Sequence, residues 1–234
     1  MHLPRTRARI AAASVLLSCA ALIFWPQSPD FLGVPSAHAQ QAKTETDPLL
    51  KEYNAILELF GDGKYREVIA QGSALAEKVK ARDGESHANY AMVLTLVALG
   101  HQGLGRGPQA EVLHKRALAI REKLHGKVHI DVAENVQHLA DLYRTLARYA
   151  EAEQLYRRAL AIVEKAAGAD QSHVAVILNS LATTYQDLGL NRQSESLFRR
   201  SLAIREKMFG ADHIDVAQSL NNLAGLHLAL ARYS

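Results

Sequence analysis

A five-residue motif recurs along this chain at a fixed spacing of 42 residues. It reads Arg-Ala-Leu-Ala-Ile at residues 116–120 and 158–162, and Arg-Ser-Leu-Ala-Ile at residues 200–204. A second motif with the same period is Leu-Ala, which occurs at residues 139–140, 181–182 and 223–224. Self-similarity at a fixed period is the signature of repeat architectures, in which each unit packs mainly on its neighbours. The sequence therefore predicts an array of similar structural units.

Within one period, apolar residues follow helical spacing in two stretches. In residues 131–146 they recur at i, i+4 and i+7, which places them on one face of a first helix, here called helix A. Residues 150–165 predict a second amphipathic helix, helix B. Aromatic residues make up only 6% of the chain, whereas alanine and leucine, which favour helices, dominate its apolar residues. The sequence therefore predicts an all-α fold of helix pairs.

Polar residues and glycines predict where these helices begin and end. Asp131 followed by Glu134, and Asp215 followed by Gln218, have the spacing of a capping box. The two aspartates are therefore predicted to be N-cap residues. Glycines follow three successive B helices, where a left-handed C-cap is expected: Gly126, Gly168 and Gly210.

The order of small and aromatic residues within one unit resembles the tetratricopeptide repeat family. The residues that carry this resemblance are Leu139, Ala140, Tyr143, Tyr149, Ala152, Tyr156 and Ala159. The longer 42-residue period, with Gly-Ala-Asp-His at residues 210–213, resembles the kinesin-light-chain variant, in which helix B is extended. The resemblance implies a right-handed α-solenoid of antiparallel helix pairs over residues 48–234. Its implied repeats span residues 48–80, 86–123, 129–165 and 172–207, with a partial fifth repeat at 214–234.

The first 39 residues have the composition of a secretory signal. Three arginines precede residue 10, an uncharged, mostly apolar run covers residues 10–25, and Ala-His-Ala occupies residues 37–39. We predict cleavage after Ala39, a flexible linker at residues 40–47, and export to the bacterial periplasm or medium. Two alternatives stay open, namely retention of the apolar run as a membrane anchor and lipid attachment at Cys19.

Most of the net positive charge of the chain belongs to this leader. The chain has 27 Lys and Arg residues against 24 Asp and Glu residues, a formal charge of +3. Without the three arginines and one aspartate of residues 1–39, 24 basic and 23 acidic residues remain, or +1. A near-neutral chain gives no electrostatic reason to expect nucleic acid as a partner. Cys19 is the only cysteine, so the mature chain is predicted to have neither disulfides nor thiolate metal sites.

The residues and the resemblance predict non-catalytic binding of a protein or peptide. Stacked helix pairs curve so that the A helices line a concave groove. In the family, asparagines of a Leu-Asn-Asn-Leu-Ala stretch contact the peptide backbone; this stretch is intact at residues 220–224 and partly kept at 178–182. Amide side chains suit this role because they both donate and accept hydrogen bonds. The candidate groove residues are Gln137, Asp141, Arg144, Asn179, Thr183, Gln186, Asn221 and Asn222.

Other features of the sequence do not indicate catalytic or metal chemistry. A basic pair recurs in each unit, but a glutamate precedes it by four residues, which predicts ion pairs on a solvated face. These pairs are Glu111 with Lys115, Glu153 with Arg157, and Glu195 with Arg199. Glu134 and His138 share a helix face without an evident third metal ligand. The sequence therefore predicts no enzyme activity, no metal and no cofactor.

The last stretch of the sequence predicts a helix A at residues 214–230 without a following helix B. The leucines predicted to lack cover there are Leu220, Leu223, Leu226, Leu228 and Leu230. We interpret the chain as the N-terminal part of a longer protein, for example the regulatory region of an enzyme such as a CHAT-type peptidase. Alternatives that stay open are a self-capped last helix, self-association through it, and an envelope assembly factor held at the membrane by an uncleaved leader.

Overall fold

A computed structural model of the chain describes residues 47–166 and 171–233. These described residues form nine α-helices and no strand, which confirms the predicted all-α fold. The signal segment 1–39 and linker residues 40–46 lie outside the described residues. The helices are α1 (Pro48–Gly61), α2 (Tyr65–Asp83), α3 (Ala88–Gly103), α4 (Gly107–His125), α5 (Ile130–Thr145), α6 (Tyr149–Lys165), α7 (Gln171–Asp187), α8 (Asn191–Phe209) and α9 (Ile214–Tyr233).

The described residues divide into two compact units, one ending at Ala110 and the other beginning at Glu111. In the first unit, Gly103 at the end of α3 lies against the ring of Tyr65, where an added Cβ would be 2.6 Å from the ring Cγ. In the second unit, neighbouring helices from α5 to α9 pack in chain order. Tyr156 of α6 and Phe198 of α8 occupy equivalent repeat positions, and both side chains are fully buried.

A three-residue turn joins helix A to helix B in each pair, and its conformation repeats with the sequence period. The second turn residue has a positive φ every time: Gly63 (72°), Gly105 (70°), Ala147 (57°) and Gly189 (73°). Glycine adopts this region freely, whereas a Cβ makes it unfavourable. Ala147 therefore holds a strained conformation that glycine adopts at the other three turns.

α5 and α9 begin two residues earlier than the predicted capping boxes require. α5 starts at Ile130, and the N-cap is His129, whose Nδ1 accepts a hydrogen bond from the Asp131 N–H at 3.2 Å. His213 makes the same 3.2 Å bond with the Asp215 N–H. The prediction that the aspartates are N-caps was wrong, because an imidazole two residues upstream supplies the acceptor. Asp131 instead lies in the first helical turn, where a negative charge interacts favourably with the helix dipole.

Gly126 and Gly210, after two of the B helices, have the predicted positive φ, but Gly210 does not have the full predicted conformation. Gly126 has φ 78° and Gly210 has φ 81°, while the ψ of Gly210 is 164°, extended rather than left-handed helical. Gly168 lies outside the described residues. The chain therefore leaves α8 in an extended direction as soon as the helix ends.

The junctions between each helix B and the following helix A alternate in chemistry. Arg121 of α4 donates to the carbonyl of Asp131 at 2.8 Å, and Asn135 of α5 is fully buried. At the equivalent positions of the next junction stand Val163 and Ile177, both fully buried. The junction of α8 and α9 is polar again, because Arg205 donates to the hydroxyl of Ser219 at 2.9 Å. An apolar junction thus lies between two polar ones.

The apolar face of α9 is covered more fully than the sequence predicted. Leu223 and Leu226 are buried in a cluster with Ala182 of α7 and Phe198 of α8, and Leu230 packs against that cluster. For these three leucines the prediction of no cover was wrong, because α9 lies against the preceding pair. Leu220 and Leu228 remain 48% and 65% exposed.

Candidate functional site

The candidate groove residues lie on the A helices of the second unit, α5, α7 and α9. Gln137, Asn179 and Asn221 occupy one repeat position, and Asp141 with Thr183 and Arg144 with Gln186 occupy two others. Residues from different A helices meet through polar side chains. Asn222 donates through Nδ2 to Oδ1 of Asn179 at 2.7 Å, across 43 residues of sequence. Arg144 donates to Oδ2 of Asp187 at 3.3 Å, which links α5 to α7.

Two of the eight candidates are engaged inside the fold. Gln137 is only 8% exposed, and its Oε1 lies 2.9 Å from Nε2 of His173. Asp141 accepts a hydrogen bond from the hydroxyl of Tyr156, which lies in the same repeat. Burial raises the pKa of the Asp141 carboxyl, and the hydroxyl of Tyr156 opposes that rise. The structure therefore gives Gln137 and Asp141 structural partners, with less of each side chain left for a ligand.

The remaining candidates differ in how far they reach solvent. Asn221 is exposed, whereas Thr183, Gln186, Asn179 and Asn222 are half-buried. The Thr183 hydroxyl donates to the carbonyl of Asn179 in its own helix at 3.0 Å. The amides of Asn179 and Asn222 keep further donor and acceptor sites after their mutual bond, since each amide offers two N–H groups and two lone pairs.

A ladder of glutamates on α4, α6 and α8 links each of these helices to the helix A that follows it. Glu111 accepts from the Tyr143 hydroxyl at 2.8 Å, and Glu153 accepts from the Tyr185 hydroxyl at 3.0 Å. His227, which replaces tyrosine in α9, keeps the contact, because its Nε2 lies 3.7 Å from Glu195. Hydrogen bonds from Lys115, Tyr143 and Arg148 lower the pKa of Glu111 to about 2.

The basic residues on the B helices are paired as the sequence predicted. The i,i+4 ion pairs are Lys115 with Glu111 (2.6 Å), Arg157 with Glu153 (2.9 Å) and Arg199 with Glu195 (2.8 Å). The arginine that follows each of Arg157 and Arg199 in the sequence reaches the preceding helix B. There Arg200 forms an ion pair with Glu164 at 2.7 Å, and Arg158 forms one with Glu122. These cations are therefore largely neutralised by protein carboxylates.

Sequence reasoning missed two groups of histidines. His114 occupies the repeat position of Tyr156 and Phe198, is fully buried, and stacks on His138 with 5.9 Å between ring centroids. Among the residues that the structure describes, neither ring nitrogen of His114 has a hydrogen-bond partner, and burial lowers its pKa well below the usual range. It acts as a neutral aromatic filler in the core, which alignment of the repeats would have revealed.

The second missed group gathers His125, His129 and Asp131 at the junction of α4 and α5. One potential ligand atom from each lies within 4.8 Å of the other two. The sequence signal was a His-x-x-x-His-x-Asp pattern across a helix end. Helical spacing alone does not reveal a pattern that crosses a helix end.

Comparison with known proteins agrees with this architecture. The sequence matches the tetratricopeptide repeat family over residues 82–165 and 173–234. A comparison with curated proteins finds no match. Among the helices that the structure describes, none combines the length and apolar character that a membrane span requires.

Solved structures share the fold at low sequence identity. A putative kinesin light chain from Podosopora anserina with nearly identical TPR-like repeats has TM-score 0.65 and 20% identity, covering 79% of this chain and 87% of that one. BtubC (BKLC) from P. vanneervenii has TM-score 0.66 and 19% identity, covering 98% of this chain and 85% of that one. The apo form of RapI has TM-score 0.61 and 15% identity, covering 84% of this chain and 54% of RapI.

These neighbours confirm the predicted α-solenoid class and its kinesin-light-chain-like repeats. The family match covers more than half of the chain and includes the helices that carry the polar groove candidates. The chain therefore belongs to the tetratricopeptide repeat family.

Proposed function

We propose that this protein is a non-catalytic scaffold that binds a peptide segment of another protein along the A helices of its second unit. The observation that carries the proposal is the direct bond between Asn222 and Asn179, at 2.7 Å, on successive A helices. Half-buried polar side chains can form hydrogen bonds to a ligand on a surface that is partly shielded from water.

The chemistry of this face favours a peptide backbone over other ligands. An extended segment presents alternating N–H and C=O groups, which amide side chains satisfy whatever the peptide sequence. Asn221 adds an exposed amide beside the pair, and Gln186 adds a half-buried one. The ion pair of Arg144 with Asp187 offers a charged contact to side chains of the ligand.

The cellular setting is part of the proposal and rests on the sequence alone. The arginine-rich start, the apolar run and the Ala-His-Ala segment support export to the periplasm or medium. The near-neutral charge after residue 39 argues against nucleic acid as the partner. The ion pairing of the B-helix arginines points the same way, because it leaves few free cations for phosphates.

Selection of peptides from a random library on the purified protein tests the proposal. Affinities of the selected peptides are then measured for the wild-type protein, for the N179A/N222A variant and for a control, K207A, at an exposed helix B position. Losing two amide contacts worth about 1 kcal/mol each weakens binding roughly 30-fold, whereas K207A binds as the wild type does. The proposal fails if no peptide is enriched, or if both variants bind selected peptides with unchanged affinity.

A further inference from the structure

We propose that His125, His129 and Asp131 form a binding site for a divalent transition-metal ion. Zn²⁺ is the ion with which we test the site. Nε2 of His125 lies 3.5 Å from Oδ2 of Asp131, and Nδ1 of His129 lies 3.6 Å from the same oxygen. Within the described parts of the chain, these three residues are the one group of three His, Cys, Asp or Glu residues whose potential ligand atoms all lie within 4.8 Å of one another. The site is independent of the proposed peptide-binding face.

Two of the three distances between the ligand atoms fit tetrahedral coordination. Zinc binds imidazole nitrogen and carboxylate oxygen at about 2.0–2.2 Å, so neighbouring ligands of a tetrahedral site are about 3.3–3.5 Å apart. The two contacts to Asp131, at 3.5 and 3.6 Å, already match this spacing closely. Two imidazoles and one carboxylate suit zinc and its neighbours, and three protein ligands leave one position for water.

The loop between α4 and α5 holds the ligands together. α4 ends at His125, and Gly126, with a φ of 78°, begins the short loop that leads to His129. The rings of His125 and His129 then stack with 4.3 Å between centroids and 17° between planes. His125 is exposed, so an ion has direct access from solvent.

Metal binding at His129 competes with a hydrogen bond that the structure shows. Nδ1 of His129 accepts from the Asp131 N–H at 3.2 Å, a long bond that ligation would replace. The environment of the Asp131 amide must therefore change when an ion binds. This change provides a local signal that distinguishes the proposed site from nonspecific binding elsewhere.

The chain contains its own control for the site. At the junction of α8 and α9, Phe209 stacks on His213 with 4.5 Å between centroids, and Nδ1 of His213 lies 3.6 Å from Asp215. The stack, the cap and the carboxylate are all reproduced there, but phenylalanine replaces the first histidine. The shared features therefore serve the helix junction, and His125 is the residue that adds metal-binding capacity.

Calorimetric titration of the purified protein with Zn²⁺ tests the site, using protein without a histidine tag because a tag would bind the ion. We expect saturable binding by the wild-type protein together with a shift of the Asp131 amide resonance. The H125F variant keeps an aromatic stack and should bind at least about 10-fold more weakly, since even loss of an outer-shell partner typically costs 10–100-fold. The F209H variant should bind one additional ion per chain.

Several results would overturn the inference. One is equal affinity and stoichiometry of the wild-type protein and H125F, both shown to be folded by circular dichroism. Another is an unmoved Asp131 amide at saturating Zn²⁺. A third is an F209H variant with no additional site, because it would show that a stacked histidine pair with one carboxylate does not suffice.

Discussion

The hydrogen bond between Tyr156 and Asp141 leads to a quantitative prediction. The Tyr156 side chain is fully buried, and its hydroxyl donates to Oδ1 of Asp141 at 2.5 Å. In the next repeat the equivalent positions hold Phe198 and Thr183, which lack both the hydroxyl on the ring and the carboxylate. The two repeats thus use matched but different pairs at one structural position.

The substitution Y156F removes a single oxygen and leaves the packing of the ring intact. A hydrogen bond to a charged group contributes about 1.5–3 kcal/mol, so we expect the free energy of unfolding to fall by about 2 kcal/mol. For a chain of this size that corresponds to a decrease in Tm of roughly 4–8 °C. The variant Y156F/D141T, which copies the pair of the next repeat, should recover much of the loss.

The loss should also depend on pH. The hydroxyl lowers the pKa of Asp141 against the effect of burial, so its removal raises that pKa further. When the pKa of a carboxyl is higher in the folded state than in the unfolded state, the free energy of unfolding of the protein falls as the pH rises through the folded pKa. The effect of Y156F is therefore largest at neutral pH and becomes smaller as the pH is lowered.

Urea unfolding of the wild type, Y156F, D141T and the double variant, followed by circular dichroism, gives the coupling energy of the pair. Hydrogen exchange of amides in α5 and α6 checks that the change is local, because repeat arrays need not unfold in a single step. The reasoning is refuted if Y156F unfolds at the wild-type urea concentration. It is equally refuted if the two single changes add without coupling.

Three further predictions concern stability. A147G relieves the positive φ of 57° and should add about 1 kcal/mol, seen as a higher Tm; a lower Tm would contradict this. L226A, at a fully buried position, should cost about 2–5 kcal/mol in urea unfolding, while L228A at an exposed position changes stability by less than about 0.5 kcal/mol; equal losses would show that α9 is not packed as described. Glu111 has a pKa of about 2 against an ordinary 4.5. Its contribution to the free energy of unfolding is therefore present above pH 4.5 and disappears as the pH falls through about 2. In E111Q the free energy of unfolding should therefore fall less steeply at acid pH than in the wild type. The same pH dependence in both proteins would exclude this role of Glu111.

The fold was predictable from the sequence because one period governs both the apolar pattern and the turns. Residues 131–146 and 150–165 were expected to be helices, and the structure has Ile130–Thr145 and Tyr149–Lys165. The helix starts were harder, since a histidine side chain competes with the aspartates as the cap. Nothing in the local sequence around Asp131 decides which acceptor is used, because the choice depends on where the preceding loop places His129.

The candidate site was predictable in position but not in detail. The period places Asn179 and Asn221 at one helix face, yet it does not show that Asn179 bonds to Asn222 on the next A helix. It also does not show that Gln137 is buried against His173. Such contacts depend on the distance between successive A helices, which a single sequence does not encode in a readable pattern. The cluster of His125, His129 and Asp131 has a local sequence pattern, but the closeness of its ligand atoms depends on the conformation of the loop between α4 and α5.

The alternation of polar and apolar junctions means that different conditions weaken different parts of the array. Burial of Val163 and Ile177 is favoured by the hydrophobic effect, which weakens on cooling. The junctions around Arg121 and Arg205 add hydrogen bonds to carbonyl and hydroxyl groups, so they depend less on the hydrophobic effect. Cold should therefore loosen the second unit from its middle, at the contact between α6 and α7, while the flanking junctions stay closed.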